Sequence, residues 1–416
     1  MPPDDNDGPW HGGAMKVLLA TAYFDSHRGG IEMVAGCLAR ELSRRDVEVV
    51  WVATDATAKP ADDAASGKPV AVKAWNITER RLGIPFPLPG PAGIAAIWRA
   101  VASTDVVLMH DSLYPSNVVA MSAAKWHRKP VVLVQHIAAV PYSNPVLRGA
   151  MHTANVLIAR PMLAAADQVV FISETVAAHF ASLAFKAPPR IIFNGVDTDL
   201  FALPPAGFDR RQARSRLGVP QDRPVVAFVG RFVEKKGLHI IERVARQRPD
   251  LSFALAGWGP IDPSGWRLPN VHVFSHLQGA SLVPLYQASD AFLLPSIGEG
   301  LPLVMQEALA CGLPVICGQE TASADTAARE FIDGVAIDLA DPDGTASAFA
   351  ERLDRVLAAA AGPSCGAAAG ARNAFVRGRY SWGAATIAYL AILHDLVAKA
   401  QAAAGGPAPQ TQRKSA

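Results

Sequence analysis

The run Ala291-Phe-Leu-Leu-Pro-Ser-Ile-Gly-Glu-Gly-Leu-Pro-Leu-Val-Met-Gln-Glu-Ala-Leu-Ala-Cys-Gly-Leu-Pro-Val-Ile-Cys317 decides the fold class. Ala291–Pro295 and Pro314–Cys317 are short, continuous apolar stretches, as expected of strands covered on both faces. A glycine-bearing loop and a helix-like apolar segment lie between them. A strand that returns through a helix to a second buried strand belongs to a parallel sheet. Glu299 sits in the loop and Glu307 in the helix, with seven residues between them. The plain account of Glu307 is an exposed helical acid. Its neighbours Leu303, Val304, Met305, Ala308, Leu309 and Ala310 argue instead for partial burial, where an unpaired carboxylate is costly. Two such acids around a helix start suit a ligand rich in hydroxyls and phosphates.

Working outward, the same alternation fills the chain. Strand candidates in the first half are Lys16–Tyr23, Glu48–Thr54, Val106–His110, Val131–His136, Gln168–Ser173 and Arg190–Asn194. Val225–Gly230, Ser252–Ala256 and Val271–Phe274 join the pair above in the second half. Ile31, Val34, Ala35, Leu38 and Leu42 mark one face of a helix after the first strand. Two series of this kind give an α/β chain of two doubly wound, Rossmann-like domains. A linker is expected over 204–223, which carries Pro204, Pro205, Gly207 and Pro220. That places an N-terminal domain at 15–203 and a C-terminal one at 224–383. Polar residues 1–14 and the Gly/Pro-bearing 403–416 read as disordered ends.

Composition narrows the function classes. With 416 residues, half of them hydrophobic, the chain has ample material for two cores. A net charge of +2 gives no electrostatic reason to bind nucleic acid. Its four cysteines lack CxxC spacing or a histidine partner pattern, so neither a zinc site nor a disulfide framework is expected. No signal peptide and no run of about 20 apolar residues stands out, leaving a cytoplasmic chain with at most peripheral membrane contact.

Ligands of parallel sheets gather at the carboxyl ends of the strands, so motifs there carry the functional reading. Gly29-Gly30 follows the first strand and opens a helix, where free N–H groups favour an anion. His110 and His136 end neighbouring strand candidates and can exchange hydrogen bonds with a ligand. Arg231 and Lys236-Gly237 follow the first strand of the second half and can flank a diphosphate. Gly257-Trp-Gly259-Pro260 reads as a tight turn bringing backbone near a ligand. Asn194-Gly-Val-Asp197 is a turn signal. The first strand lacks GxGxxG, which argues against a nicotinamide dehydrogenase.

In this order, Gly29-Gly30, Asn194-Gly-Val-Asp197, Gly230-Arg231 with Lys236-Gly237, Gly257-x-Gly259-Pro260 and Glu299-x7-Glu307 through Gly312-x-Pro314 resemble the retaining glycosyltransferases of family four. The resemblance covers roughly residues 15 to 395. It implies a GT-B fold, with two Rossmann-like domains facing across a cleft and a final helix near 384–402 crossing back to the first. It implies a nucleotide-sugar donor of UDP-glucose or GDP-mannose type, and a carbohydrate or lipid-linked acceptor. Arg231 and Lys236 would hold the diphosphate, Glu299 and the backbone at Gly300 and Leu301 the donor sugar, and Glu307 the ribose. Gly30, Gly257 and Gly259 would also border the donor, while Gly29, His110 and His136 face the acceptor side. His110, Glu299, Arg231 and Lys236 would be the catalytic set, acting without a metal or cofactor. The resemblance also allows an inner-leaflet membrane surface as a partner, motivated here by Ile84–Gly90 and by Arg80, Arg81, Lys125, Arg128 and Lys129. The chain departs from the pattern after Val315, where Glu330 stands in for an expected acid. A non-catalytic sugar-nucleotide-binding subunit and a GT-B epimerase are the alternatives.

Overall fold

The computed structural model describes residues 14–404 apart from Arg28, 56–66, 77–85, 139–144, 361 and 363–364. The two ends read as disordered lie almost wholly outside the described residues, as do Arg80, Arg81 and Ile84. Two parallel sheets organise the rest. The first holds seven strands in the order β3-β2-β1-β6-β7-β8-β9. These are β1 Lys16–Tyr23, β2 Glu48–Thr54, β3 Lys68–Val72, β6 Val106–His110, β7 Val131–Gln135, β8 Gln168–Phe171 and β9 Arg190–Ile191. A short antiparallel pair, β4 Ala74–Trp75 and β5 Leu88–Pro89, lies beside it. The second sheet holds six strands in the order β12-β11-β10-β13-β14-β15. Its members are β10 Val225–Val229, β11 Ser252–Ala256, β12 Val271–Phe274, β13 Ala291–Leu294, β14 Val315–Gly318 and β15 Ile332–Val335. Central strands such as β6, β7, β10 and β11 are buried along their whole length, which explains their unbroken apolar sequences.

Strands β3 and β15, absent from the sequence reading, are both sheet edges. Lys68-Pro69 opens β3 and Asp333-Gly334 interrupts β15, and an edge tolerates the missing donor and the polar residue. The segment 204–223 is not a simple linker. It contains the helix Arg210–Leu217, whose Arg214 is buried and donates to an Asp290 oxygen at 2.5 Å. Its polar sequence concealed a docked helix, because the arginine is satisfied by a partner outside the segment.

The last helix, Trp382–Ala404, returns to the first sheet. Ala385, Tyr389, Ile392, Leu393 and Val397 pack with Leu38 and Leu42 of the helix Gly30–Ser43 and with Val17 and Leu19 of β1. By length and composition Trp382–Ala403 is apolar enough to cross a membrane, contrary to the sequence expectation. Its packed face makes it part of this core instead. The two chain crossings lie side by side, where the Val196 N–H donates to Tyr380 O at 2.7 Å. A Cβ on Gly195 would fall 2.4 Å from the Trp382 ring, so the Asn-Gly pair serves close packing at the crossing.

Leu393 is fully buried, so Leu393→Ala leaves a cavity and lowers stability by about 3 kcal/mol. Denaturant unfolding checks this, and a loss below about 1 kcal/mol would show that the helix is only loosely attached.

Candidate functional site

Both sheets reverse their strand order beside their first strand, between β1 and β6 and between β10 and β13. The crevices at these points are where such sheets take ligands. In the second sheet the loops after β11, β10 and β13 are bound to one another through backbone. The Phe232 N–H donates to Trp258 O at 2.7 Å, and the Ile297 N–H donates to Lys235 O at 2.9 Å. Glycine is required at these contacts. A Cβ on Gly257 would lie 1.9 Å from Gly230 O, one on Gly259 2.3 Å from Phe232 O, and one on Gly237 2.0 Å from Pro295 O. Gly257 and Gly259 were read as a tight turn bringing backbone near a ligand. In this structure they also admit the backbone of the neighbouring loop.

Fastened in this way, the loops bring charges together. Lys236 Nζ and Lys235 Nζ lie 3.1 and 3.3 Å from the same Glu299 oxygen, Oε1. The Lys236 side chain is 13 % exposed and that of Glu299 15 %. Burial lowers the Lys236 pKa, with Glu299 opposing and Lys235 and Arg231 adding to the effect. For Glu299 burial acts upward, but Lys236 and Lys235 outweigh it and hold the carboxyl below its ordinary value. Arg231 is exposed, its guanidinium 4.8 Å from the centre of the Trp258 ring. Arg231, Lys235 and Lys236 outnumber Glu299 and the exposed Glu234 of the same turn, which leaves a local positive excess.

Glu307 rides on the helix Leu303–Ala310 and accepts from the Tyr286 hydroxyl at 2.7 Å. Burial pushes its carboxyl up to about 7, the tyrosine hydrogen bond opposing. The buried side of this helix is Met305, Gln306, Ala308, Leu309 and Ala310, with Val304 only partly covered. Leu301 is 2 % exposed and packs in the second core, so only its backbone is free to meet a ligand. A Cβ on Gly300 would meet Ile172 Cδ1 at 3.0 Å and Ser173 Oγ at 3.3 Å. This places the acidic loop against the first sheet, just beyond the end of β8.

Across from it, Gly29 precedes the helix Gly30–Ser43. Around Gly30 there is open space, whereas a Cβ on Gly29 would strike the Glu32 carboxylate at 2.0 Å. His110 ends β6 and His136 follows β7, and their rings share a hydrogen bond of 2.9 Å between Nδ1 and Nε2. Burial lowers the His110 pKa well below normal, with His136 adding to it, and burial takes His136 to about 3. The pair is therefore neutral. Asp111 has a positive φ of 69°, a strained setting for a side-chain-bearing residue. Asn117 Nδ2 clamps this turn by donating to His110 O at 2.8 Å and Asp111 O at 2.7 Å. Buried atoms without a hydrogen-bond partner cluster here, namely His110 Nε2, Asp111 Oδ2, Ser112 Oγ, Ser116 Oγ and Asn117 Oδ1. A native site leaves few such atoms unless water or ligand meets them.

Tyr286, Trp258 and Asn117 were not singled out from sequence: Tyr286 acts through a distant partner, Trp258 through its ring, and Asn117 through backbone carbonyls of a turn that no motif marks. Glu330, the proposed substitute acid, is exposed. The buried acid of that region is Asp325, which accepts from the Tyr380 hydroxyl at 2.6 Å and from Arg379.

Comparison with known proteins agrees with this geometry. The model of Glycosyltransferase Family 4 matches residues 28–200, and that of Glycosyl transferases group 1 matches 209–363. A D-inositol 3-phosphate glycosyltransferase of Salinispora arenicola is 30 % identical over 364 residues, covering 79 % of each chain. A GDP-mannose-dependent alpha-(1-6)-phosphatidylinositol monomannoside mannosyltransferase of Mycolicibacterium smegmatis is 29 % identical, covering 81 % of this chain and 89 % of its own. Among solved structures, sucrose-phosphate synthase from Thermosynechococcus elongatus shares the fold, with a TM-score of 0.75 at 20 % identity over 92 % of this chain and all of that one. Paired parallel sheets, a cationic cluster at the strand ends and matches to both halves lead to one assignment: the chain belongs to glycosyltransferase family four and is a GT-B enzyme that moves a sugar from a nucleotide-sugar donor.

Proposed function

We infer that the enzyme is a retaining, metal-independent hexosyltransferase. The observation that carries this reading is the convergence of Lys235 and Lys236 on Glu299 at the ends of β10 and β13, with Arg231 near enough to act on Lys236. A donor diphosphate entering there meets fixed positive charge in a partly dry setting, where it acts more strongly than in water. The diphosphate takes over the lysines, and Glu299 turns to hydroxyls of the donor sugar. Glu307, oriented by Tyr286, accepts from the ribose.

The bond from the sugar C1 to the phosphate oxygen breaks while the acceptor oxygen bonds to C1 from the same face. The acceptor proton passes to the departing phosphate oxygen, and a nucleoside diphosphate leaves. His110 and His136 are too weakly basic to take that proton, since burial holds both neutral. They serve as hydrogen-bonding groups toward the acceptor side. The relatives' names specify GDP-mannose in one case and inositol phosphate or phosphatidylinositol mannoside acceptors. A UDP-glucose or GDP-mannose type donor and a sugar or lipid-linked acceptor, as in polysaccharide or glycolipid synthesis, fit that company. All four cysteines are free, which suits a reducing, cytoplasmic compartment. Work on lipid-linked acceptors would bring the enzyme to the inner leaflet.

Removing one charge-stabilising group from such a site costs roughly 100- to 1,000-fold in turnover. Lys236→Ala and Glu299→Ala are each expected to show this in a nucleoside-diphosphate release assay with a donor and acceptor panel. Unchanged turnover in both would sink the site assignment. Chelation with EDTA should leave the wild-type rate unaltered, and a loss restored by added divalent ion would make the reaction metal-dependent.

The Glu307 carboxyl, near 7, predicts a pH dependence. As pH falls through about 7 the carboxylate is protonated and loses acceptor capacity, so kcat/KM for the donor declines. Tyr286→Phe removes the hydrogen bond that opposes the shift, moving the midpoint to higher pH. A midpoint that stays in place would separate Glu307 from donor binding.

A further inference from the structure

The three cations at the ends of β10 and β13 are held in two different ways. Lys235 and Lys236 are tied to a carboxylate, that of Glu299. Among the described residues the Arg231 guanidinium has neither an ion pair nor a hydrogen bond. It meets a ring instead, with its Cζ 4.8 Å from the centre of Trp258. At this distance the positive charge is attracted by the electron-rich face of the indole. The chain fixes both partners at their roots. Arg231 follows β10 and Trp258 follows β11, neighbouring parallel strands that pair Val229 with Ala256. Backbone bonding continues past the strand ends. The Gly230 N–H donates to Ala256 O at 3.0 Å, the Phe232 N–H to Trp258 O at 2.7 Å, and the Ile261 N–H to Phe232 O at 3.1 Å. Trp258 is flanked by Gly257 and Gly259, at which a Cβ would strike the carbonyl oxygens of Gly230 and Phe232. Of these three residues it alone carries a side chain, and that side chain is the one beside the arginine.

The kind of partner matters for what the cation can do next. A carboxylate occupies the donors of a cation and must release them before a phosphate can take its place. A ring restrains the guanidinium through its flat face. The N–H donors lie in the guanidinium plane, so stacking leaves them unclaimed and the charge whole. A free arginine side chain has many rotamers, and holding it beforehand removes that ordering cost from ligand binding. The charge of Arg231 also reaches Lys236, whose pKa it helps to lower, so both cations bear on one space.

We propose that Trp258 is a positioning residue of the donor site, its ring holding the Arg231 guanidinium ready for the donor diphosphate. The proposal rests on the reading of these cations as the diphosphate site. Within that site Arg231 is the cation that engages the diphosphate without first leaving a carboxylate. Trp258 acts through Arg231, so its contribution to donor binding vanishes when the arginine is absent.

The test is a double-mutant cycle between Trp258 and Arg231 in the full chain, read by calorimetric titration with UDP and with GDP. Trp258→Leu keeps apolar bulk but removes the ring, and it weakens the tighter-binding nucleotide by about tenfold. Trp258→Phe retains an aromatic face and stays within about threefold of the wild type. Trp258→Gln is a second ringless variant and shows the same loss as the leucine. Arg231→Ala weakens binding further, and adding Trp258→Leu to it costs nothing more. Because the Trp258 ring is 42 % exposed, the thermal unfolding midpoints of these variants lie near that of the wild type. Wild-type affinity in both ringless variants, with a loss in Arg231→Ala, overturns the proposal and leaves the diphosphate site standing. A loss on removing the ring that persists undiminished in the Arg231→Ala background gives the ring to the nucleobase, and also overturns it. Unchanged affinity in Arg231→Ala removes the diphosphate assignment itself.

Discussion

The pairing of Lys236 with Glu299 is the interaction on which the donor half depends. Neither charge is easily kept out of water alone, and each carries the other. The pair exists only because two loops from different strands approach closely enough for the Ile297 N–H to reach Lys235 O. That approach in turn depends on Gly237, whose φ of 72° and bare Cα allow the lysine turn to lie on the end of β13. A side chain there would separate the loops by moving Pro295, and the ammonium would lose its carboxylate. Backbone packing thus sets the electrostatics, and the charge pattern follows from where glycine is permitted.

The facing half is arranged on the opposite principle. Where the second sheet concentrates charge, the first keeps its histidines neutral and buries Asp111, whose carboxyl is raised to about 6 against hydrogen bonds from Leu113, Ser112 and Gln135. A cleft with fixed cations on one wall and neutral imidazoles beside a carboxyl poised near 6 on the other is polarised. A diphosphate is drawn to one side, while a hydroxyl-bearing group gains hydrogen bonds on the other without competing for the cations. On the mechanism proposed above, the departing phosphate rather than a side chain of this wall takes the acceptor proton.

Much of this was legible because strand ends are easy to locate when the strands are continuous apolar runs. Knowing that Val225–Val229 and Ala291–Leu294 are buried strands puts Arg231, Lys236 and Glu299 at ligand-facing ends without further information. What stayed hidden depends on contacts between segments far apart in sequence. That Gly257 serves loop packing was hidden, because sequence cannot show that Gly230 O lies against it. Tyr286 looked like an ordinary aromatic of a short helix, since its one informative bond is to Glu307. Arg214 read as linker charge for the same reason, its partner Asp290 lying 76 residues further on.

The two domains are joined at sites of unequal strength, and this bears on how a donor enters. At the chain crossings, Gly195 lies flush against Trp382, and the neighbouring Asp325 is buried among Arg379, Tyr380 and its own turn. Elsewhere Glu174 reaches over to the second domain, its N–H donating to Ala324 O at 2.8 Å and its carboxylate accepting from Thr326 Oγ1 at 3.0 Å. The carboxylate contact is exposed, and exposed polar contacts exchange readily with water at little net cost. Packed aromatic contacts do not. The Glu174 carboxylate contact is therefore the more readily exchanged of these. The acidic loop at Gly300, which abuts Ile172 and Ser173 immediately before Glu174, lies beside the weaker joint. On the site proposed above, the loop assigned to the donor sits beside the more exchangeable of these contacts.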